Sequence, residues 1–202
     1  MSPRTKEQNE EIRRKRIRQI MDAAAEVYLK KGVLLEIRDV ASVAQIGYGT
    51  VYHYYRNKHE LFIDMLEDAL ELSRVHLAAS PRVSDHPVQR LRRMVRSLLI
   101  MWMEYPGTFI LYKTLSENTP LVPEEQMRSI MDTFQHQLYA PLVKLLEDAL
   151  PATQSEQAEI RCNWLLASLV GCASLYVHRY RSDMDVEAVV DAILGGFIPK
   201  EG

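Results

Sequence analysis

The chain has 202 residues, a net charge of −2 and two cysteines. That length is enough for one small and one medium domain, each with its own core. Because the N-terminus is polar and no apolar run approaches the length of a membrane span, we expect neither a signal peptide nor a membrane partner. Sparse cysteine is typical of a reducing compartment, so the expected location is the cytoplasm.

Charge is distributed unevenly along the chain. Residues 1–60 carry twelve Lys and Arg against eight Asp and Glu, whereas residues 61–202 carry thirteen against nineteen. We call the basic N-terminal part the head and the acidic remainder the body. This distribution of charge favours binding to a polyanion through one end of the molecule. Five cations near the start of the head are expected to contact phosphates in part: Arg13, Arg14, Lys15, Arg16 and Arg18.

The first elements in chain order are a long helix and a short one. Apolar residues at helical spacing predict the long helix from about residue 10 to residue 31, and Gly32 ends it. The short helix covers about residues 37–45 and leaves Arg38 exposed. A tight turn and a third helix follow, which is the order of a helix-turn-helix with one supporting helix in front.

The third helix lies in the segment AQIGYGTVYHYYRNKHEL, residues 44–61. Gly47 can begin it, because glycine is an acceptable N-cap, while Val51 and Tyr55 lie four residues apart and can face inward. The other side chains remain outside, where they can hydrogen-bond to phosphates and base edges in a DNA major groove. They are Tyr48, Thr50, Tyr52 and His53.

The fourth helix begins with a predicted cap. Asn57 can accept from the first turn, with Glu60 three residues on as its reciprocal partner. Lys58 then places a positive charge beside exposed backbone amides, which favours a bound phosphate.

The run RDVASVAQIGYGTVYHYYRNKHEL, preceded by IMDAAAEVYLKKG, resembles the DNA-binding domain of the tetracycline-repressor (TetR) family of bacterial regulators. The resemblance covers about residues 10–66, and its most specific part is GTVYHYY-x-NK-x-EL. It implies an all-helical, homodimeric repressor whose larger C-terminal domain binds a small molecule. With the helix start at Gly47 included, the candidate DNA-binding residues are Arg38, Gly47, Tyr48, Thr50, Tyr52, His53 and Lys58.

The chain departs from the family where it enters the third helix. Gln45, Ile46 and Gly47 stand in place of the usual Gly-Val-Ser, and Leu35 and Glu36 replace small hydroxyl residues. Gln45 must then occupy a turn position usually given to glycine, at a cost of about 1 kcal/mol if the conformation is left-handed. These departures leave the fold prediction intact. They also keep an alternative open, a helical dimeric protein-interaction module with degraded DNA binding.

Residues 1–57 are therefore predicted to form the helix-turn-helix domain, and residues 58–202 an all-α effector-binding and dimerisation domain. The helices expected in the second domain cover residues 58–79, 87–104, 108–117, 123–150, 153–181 and 185–197. The fourth of these should kink near Pro141, whose nitrogen cannot donate a backbone bond. The fifth should open on a capping box from Thr153 to Glu156.

Aromatic and sulfur-containing side chains on neighbouring helices of this domain predict an apolar ligand pocket. The candidate ligand-binding residues are Trp102, Tyr105, Phe109, Tyr112, Met131, Phe134, His136 and Trp164. An ordinary core role is the alternative for each of them. Lys113 or Arg128 could pair with an acidic group of the ligand.

Small residues at helical spacing on an apolar segment near the C-terminus predict a dimer interface, because they let a second helix approach closely. The candidate interface residues are Ala167, Gly171, Ser174, Val190 and Leu194. A homodimer places two DNA-reading helices about a two-fold axis, which matches a palindromic operator in double-stranded DNA.

The sequence shows no motif of an enzyme, such as a nucleophile elbow, a glycine-rich phosphate loop or HExxH. Asp132 and His136 lie four residues apart, but no third ligand at motif spacing accompanies them, so we expect no metal site and no cofactor. We therefore expect a ligand-responsive repressor, released from its operator when a small apolar or aromatic effector favours a second dimer state.

Overall fold

The computed structural model describes residues 5–78, 86–117, 119–179 and 184–197. Over those ranges the chain is all-α. The α-helices are α1 (Lys6–Lys31), α2 (Ile37–Val43), α3 (Tyr48–Tyr54), α4 (Lys58–Ala78), α5 (Pro87–Glu104), α6 (Pro106–Ser116), α7 (Glu124–Phe134), α8 (Ala140–Ala149), α9 (Ala158–Arg179) and α10 (Val186–Leu194). Two 3-10 segments, Gly32–Leu34 and Ala152–Gln157, and one π-helical turn, Gln135–Tyr139, complete the helical structure of these ranges.

Helix α1 starts earlier than the apolar periodicity indicated. The Thr5 hydroxyl accepts from the Gln8 amide at 3.2 Å, and the Gln8 side chain accepts from the Thr5 amide at 3.1 Å. This reciprocal cap satisfies two amides that the first turn would otherwise leave free, so the helix begins at Lys6. It ends where predicted, at Gly32, whose backbone φ is +57° and whose N–H bonds to the carbonyl of Tyr28.

The first three helices form a small packed unit, in which α2 contacts both α1 and α3. Apolar side chains from all three fill its centre, among them Ile20, Val40 and Val51, each fully buried. Burying these side chains stabilises the unit by about 2 kcal/mol for each of them. This is the helix-turn-helix arrangement that the sequence predicted.

The remaining helices form the body of the protein around α5. Helix α5 packs against α6, α8 and α10, while α4 packs on α6 and joins the body to the head. Trp102 and Phe109 are fully buried at the centre, with their ring centroids 5.9 Å apart. On the outer side, Arg92 and Arg96 of α5 pair with Glu187 of α10 and tie the last helix to the body.

Two local predictions for the body have different outcomes. Helices α7 and α8 run on into one another through a π turn that ends two residues before Pro141. The wider turn lies next to a residue that cannot donate a backbone bond, and the kink expected at Pro141 stays a prediction. The predicted capping box at Thr153 is wrong, because residues 152–157 form a 3-10 segment and α9 begins only at Ala158. Pro151 occupies the N-cap position of that segment and has no side-chain oxygen to accept a hydrogen bond.

Candidate nucleic-acid interface and ligand cavity

One face of α3 is exposed and aromatic. Tyr48 and Tyr52 are 54% and 50% exposed, and their rings stack with centroids 5.8 Å apart. Thr50 and His53 are exposed on the same short helix, whereas Val51 is fully buried beneath it. Hydroxyl and imidazole groups on one accessible helical surface can donate to phosphates and base edges.

The turn that leads into α3 holds one residue in a strained conformation. Gln45 has a backbone φ of +54°, so the left-handed conformation that was considered for it is present. The following amide, of Ile46, donates to the carbonyl of Ala41 at 3.1 Å and closes the turn. Gly47 then takes the N-cap position with extended backbone and without a side-chain hydrogen bond. The turn thus positions α3 through backbone bonds.

The end of α3 is anchored to α4 by a buried tyrosine. Tyr55 is 4% exposed, and its hydroxyl donates to Oδ2 of Asp64 at 2.5 Å. Burial raises the pKa of this hydroxyl, and the bond to the carboxylate acts in the same direction. Tyr55 therefore remains a neutral donor, and the bond fixes α3 relative to α4.

The start of α4 is capped almost as predicted. Oδ1 of Asn57 accepts from the amide of Glu60 at 2.9 Å. The Glu60 carboxylate returns to the amide of Arg56, also at 2.9 Å, rather than to Asn57 itself. The cap fixes the place where Lys58 enters the helix.

Lys58 is held more closely than the sequence indicated. Its side chain is 25% exposed, and Nζ donates to the carbonyl of Val33 at 3.2 Å. Oε1 of Glu36 lies 3.4 Å from the same nitrogen. Glu36 therefore shields part of the positive charge of Lys58, whereas Arg38, in the first turn of α2, is exposed.

The basic run at the start of the head is partly neutralised. Arg13 and Lys15 pair with glutamates of the preceding turn at 3.5 and 2.7 Å. Arg18 donates to both carboxylate oxygens of Asp68 in α4, at 2.7 and 2.9 Å. Arg18 therefore links the head to the body, and the phosphate contacts expected of part of this run fall to its other cations.

A cavity of about 700 Å³ lies between α6, the π turn and α9. Its apolar wall consists of Tyr112, Leu115, Met131, Phe134, Tyr139, Leu166 and Val170. Its polar wall consists of Lys113, Ser116, Glu117, Gln135, Glu159, Asn163 and Ser174. A cavity of this size with an aromatic wall and a few polar groups suits a small organic ligand.

Three of the predicted ligand-binding residues, Tyr112, Met131 and Phe134, line this cavity. Trp102 and Phe109 lie behind it in the fully buried core, with the Trp102 ring 4.9 Å from that of Tyr112. Neither ring lines the cavity, because packing between α5 and α6 covers both of them.

The other predicted ligand residues lie elsewhere on the surface. Tyr105 is 43% exposed in a groove between head and body, and Trp164 is 55% exposed on the outer face of α9. His136 is exposed and places Nδ1 2.7 Å from the carbonyl of Asp132. None of the three lines the cavity, and the rotation of each helix, which directs its side chains away from the cavity, depends on tertiary packing.

Sequence reasoning missed part of the cavity wall. Tyr139 reaches it from the π turn, and its hydroxyl donates to Oδ1 of Asn163 at 2.7 Å. Burial raises the pKa of Tyr139 to about 12, which keeps it protonated. A regular helix through Pro141 would direct this ring elsewhere, so only a precise forecast of the π turn could have placed it there.

Helix α9 has an exposed apolar face. Ile160, Trp164 and Leu175 are 50%, 55% and 63% exposed. Ala167 and Gly171 are exposed between them and also line the cavity mouth. A Cβ added at Gly171 would meet nothing within 4 Å, so the space above this face is open.

The two residues of α10 that were predicted at a dimer interface are covered within their own chain. Val190 is fully buried and Leu194 is 5% exposed, because α10 packs on α5 and α9 of the same chain. Ser174, by contrast, lines the cavity with the exposed face of α9. The exposed apolar face of α9 therefore remains as the predicted surface for a second chain.

The segment Thr153–Val177 has the length and the mean hydropathy, 1.4, of a membrane span, which the sequence analysis did not expect. One stripe of it, which includes Cys162, Leu165 and Leu169, is fully buried against the body. Only 28% of its most apolar window is buried within the chain, however. The helix therefore carries more apolar surface than its own chain covers.

Comparison with known proteins relates the head to a family of regulators. Residues 20–65 match the family model described as "Bacterial regulatory proteins, tetR family". The HTH-type transcriptional regulator TtgR of Pseudomonas putida is 33% identical over 98 residues, which are 47% of this chain and 44% of that protein. The chain thus spans less than half the length of this curated relative.

Solved structures resemble most of the chain. A TetR-like transcriptional regulator from Rhodococcus sp. RHA1 has a TM-score of 0.66 at 22% identity and covers 88% of this chain and 91% of its own. AibR, solved in complex with isovaleryl coenzyme A and operator DNA, has a TM-score of 0.66 at 18% identity, covering 91% and 98%. At this identity the likeness concerns the fold, so head and body together have the architecture of these proteins.

Proposed function

Because this chain belongs to the tetR family of bacterial regulatory proteins, we propose that it is a ligand-responsive transcriptional regulator, and that it acts as a repressor in the cytoplasm. The observation that carries the proposal is the exposed aromatic face of α3, with Tyr48 and Tyr52 stacked beside Thr50 and His53. A packed core and a buried tyrosine hold that face in place. The protein acts by binding and has no enzymatic role.

Helix α3 would enter the major groove of double-stranded DNA. The hydroxyls of Tyr48, Thr50 and Tyr52 and the imidazole of His53 are placed to contact phosphates or base edges. Arg38 at the exposed start of α2 and Lys58 at the start of α4 would contact phosphates on either side. AibR, which shares the fold, was solved on operator DNA.

A homodimer would present two such heads to a palindromic operator. The exposed apolar face of α9 supports this assembly, because Ile160, Trp164 and Leu175 leave an apolar surface that their own chain does not cover. Exposed contiguous apolar surface marks an interaction site more often than an ordinary surface. Exposed Ala167 and Gly171 would let the partner helix approach closely.

The cavity in the body would hold a small apolar or aromatic effector. It is bordered by α6, and α6 packs on both α1 and α4. A ligand that displaces α6 would therefore move the helices that carry the head. The difference in ligand affinity between the two dimer states sets the size of the response, typically about 1–3 kcal/mol.

A variant pair tests the DNA-binding role of α3. Tyr52→Phe removes one exposed hydroxyl from the proposed reading face, and Tyr105→Phe removes one from a similarly exposed ring at the head–body junction. We expect Tyr52→Phe to weaken binding to the duplex flanking the gene by about fivefold, a hydrogen bond of about 1 kcal/mol, and Tyr105→Phe to leave it unchanged. Fluorescence anisotropy measures the affinity, and thermal unfolding checks that both variants fold.

If both variants bind DNA as tightly as the unsubstituted protein, α3 does not contact DNA as proposed. If the protein is instead a protein-interaction module, the unsubstituted chain should show no saturable binding to any duplex and no steep dependence of DNA affinity on salt.

A further inference from the structure

We propose that the cavity between α6, the π turn and α9 binds a planar aromatic cation. The inference rests on the proposed function and extends it, because it specifies the shape and the charge of the effector. It is carried by two features of the cavity: its aromatic wall and the balance of charge around it.

The aromatic wall contains one edge-to-face ring pair and one tilted ring pair. The rings of Tyr112 and Phe134 meet edge to face with centroids 5.1 Å apart, and Phe134 and Tyr139 lie 6.5 Å apart. A flat ring system placed among them gains stacking contacts, and a positive charge on it gains attraction to the ring faces.

Charge around the cavity is net negative. Of the charged side chains that line it in the described ranges, Lys113 is the only cation, and its Nζ lies 2.5 Å from Oε1 of Glu117. Glu159 is a second carboxylate on the lining. Arg128, the other cation considered for an acidic ligand, lies outside the lining and pairs with Glu124 at 3.5 Å.

An anionic ligand would have to break the pair between Lys113 and Glu117 and would still face Glu159. A cationic ligand could contact Glu159 and the ring faces while the pair between Lys113 and Glu117 stays intact. The isovaleryl coenzyme A bound by AibR is polyanionic. The ligand proposed for this cavity therefore differs in charge from that of AibR, although the two proteins share a fold.

Three probes of matched shape test the proposal: N-methylacridinium as the cation, acridine as its neutral analogue, and acridine-9-carboxylate as the anion. Calorimetric titration of the full-length protein without DNA gives the affinity of each. We expect saturable binding of N-methylacridinium at one per chain, about five- to tenfold tighter than acridine, as follows from about 1 kcal/mol for one partly screened charge pair. The carboxylate should bind most weakly.

Variants assign the effect to this cavity. Glu159→Gln should weaken the cation about five- to tenfold, so that its affinity approaches that of acridine, and leave acridine unchanged. Phe134→Ala should weaken both. Glu125→Gln is the matched control, because Glu125 is an exposed glutamate of α7 outside the lining.

The proposal is overturned if the carboxylate binds as tightly as the cation, if no probe saturates, or if Glu159→Gln weakens cation and neutral ring equally. Since no DNA is present, these outcomes are independent of the DNA-binding experiment. Cation binding without DNA binding would remove the regulator role and keep the cavity assignment, and the converse result would remove the cavity assignment alone.

Discussion

Substituting Glu36 by Gln should strengthen DNA binding. Oε1 of Glu36 lies 3.4 Å from Nζ of Lys58, and the Glu36 side chain is 59% exposed. Glu36 occupies the N-cap position of α2 but makes no side-chain capping bond, so the substitution removes no cap. In the proposed complex Lys58 faces a phosphate, and the neighbouring carboxylate both competes for Lys58 and repels that phosphate.

The size of the effect follows from the geometry. An exposed ion pair such as that of Lys58 and Glu36 is worth about 0.5 kcal/mol. The wild-type protein loses this energy when Lys58 turns to DNA, whereas the Glu36→Gln variant has no pair to lose. A carboxylate about 8 Å from a phosphate costs a further 0.5 kcal/mol or so in water. The sum, about 1 kcal/mol, corresponds to roughly fivefold tighter binding.

Anisotropy titration of a labelled duplex at two salt concentrations measures the change. The expected result is about fivefold tighter binding of Glu36→Gln, with nearly the same slope of log affinity against log salt, because Lys58 contacts its phosphate in both proteins. Lys58→Gln should act in the opposite direction, and Glu125→Gln, on the body, should have no effect. Unchanged or weaker binding of Glu36→Gln with an intact fold would refute the shielding of Lys58.

Three further substitutions test other parts of the structure. Gln45→Gly relieves the φ of +54° and should raise the free energy of unfolding by about 1 kcal/mol, seen as a rise in Tm of about 3 °C; an unchanged or lower Tm would mean that the turn is not strained. Tyr55→Phe removes the donor to Asp64 and should lower stability by about 1.5 kcal/mol in denaturant titration, whereas no loss would show that the bond does not stabilise the head. Leu175→Glu places a charge on the exposed face of α9 and should convert a dimer into monomers in analytical ultracentrifugation; a variant that stays dimeric would move the interface elsewhere.

The parts of the structure that depend on neighbouring residues in sequence could be predicted. The stop of α1 at Gly32 and the Asn57 cap each follow from the chemistry of a few consecutive residues. The outward position of Tyr52 followed from helical spacing once Val51 faced inward. Local chemistry decides these features because their energies are set within one turn of chain.

The parts that depend on contacts distant in sequence could not be predicted. The bond between Arg18 and Asp68 joins residues 50 positions apart, and the pair of Lys58 and Glu36 joins residues 22 apart. Helical periodicity contains no information about either. One local signal was overlooked, the Thr-x-x-Gln sequence that caps α1 from Thr5.

The ligand cavity shows the same limit. The aromatic residues of the body were a correct indication that a cavity exists, but which of them line it depends on how far each helix is rotated. Trp102 and Phe109 are covered by packing between α5 and α6, and the π turn brings Tyr139 to the wall. Val190 was expected at an interface and is instead covered by its own chain.

The most direct test of the central claim is the binding of the purified protein to the DNA that flanks its own coding region, followed by footprinting at two salt concentrations. We expect saturable binding, protection of one palindromic site, and an affinity that falls steeply between the lower and the higher salt. Weak binding that is the same for every sequence, with no protected site, would contradict a DNA-reading role for α3.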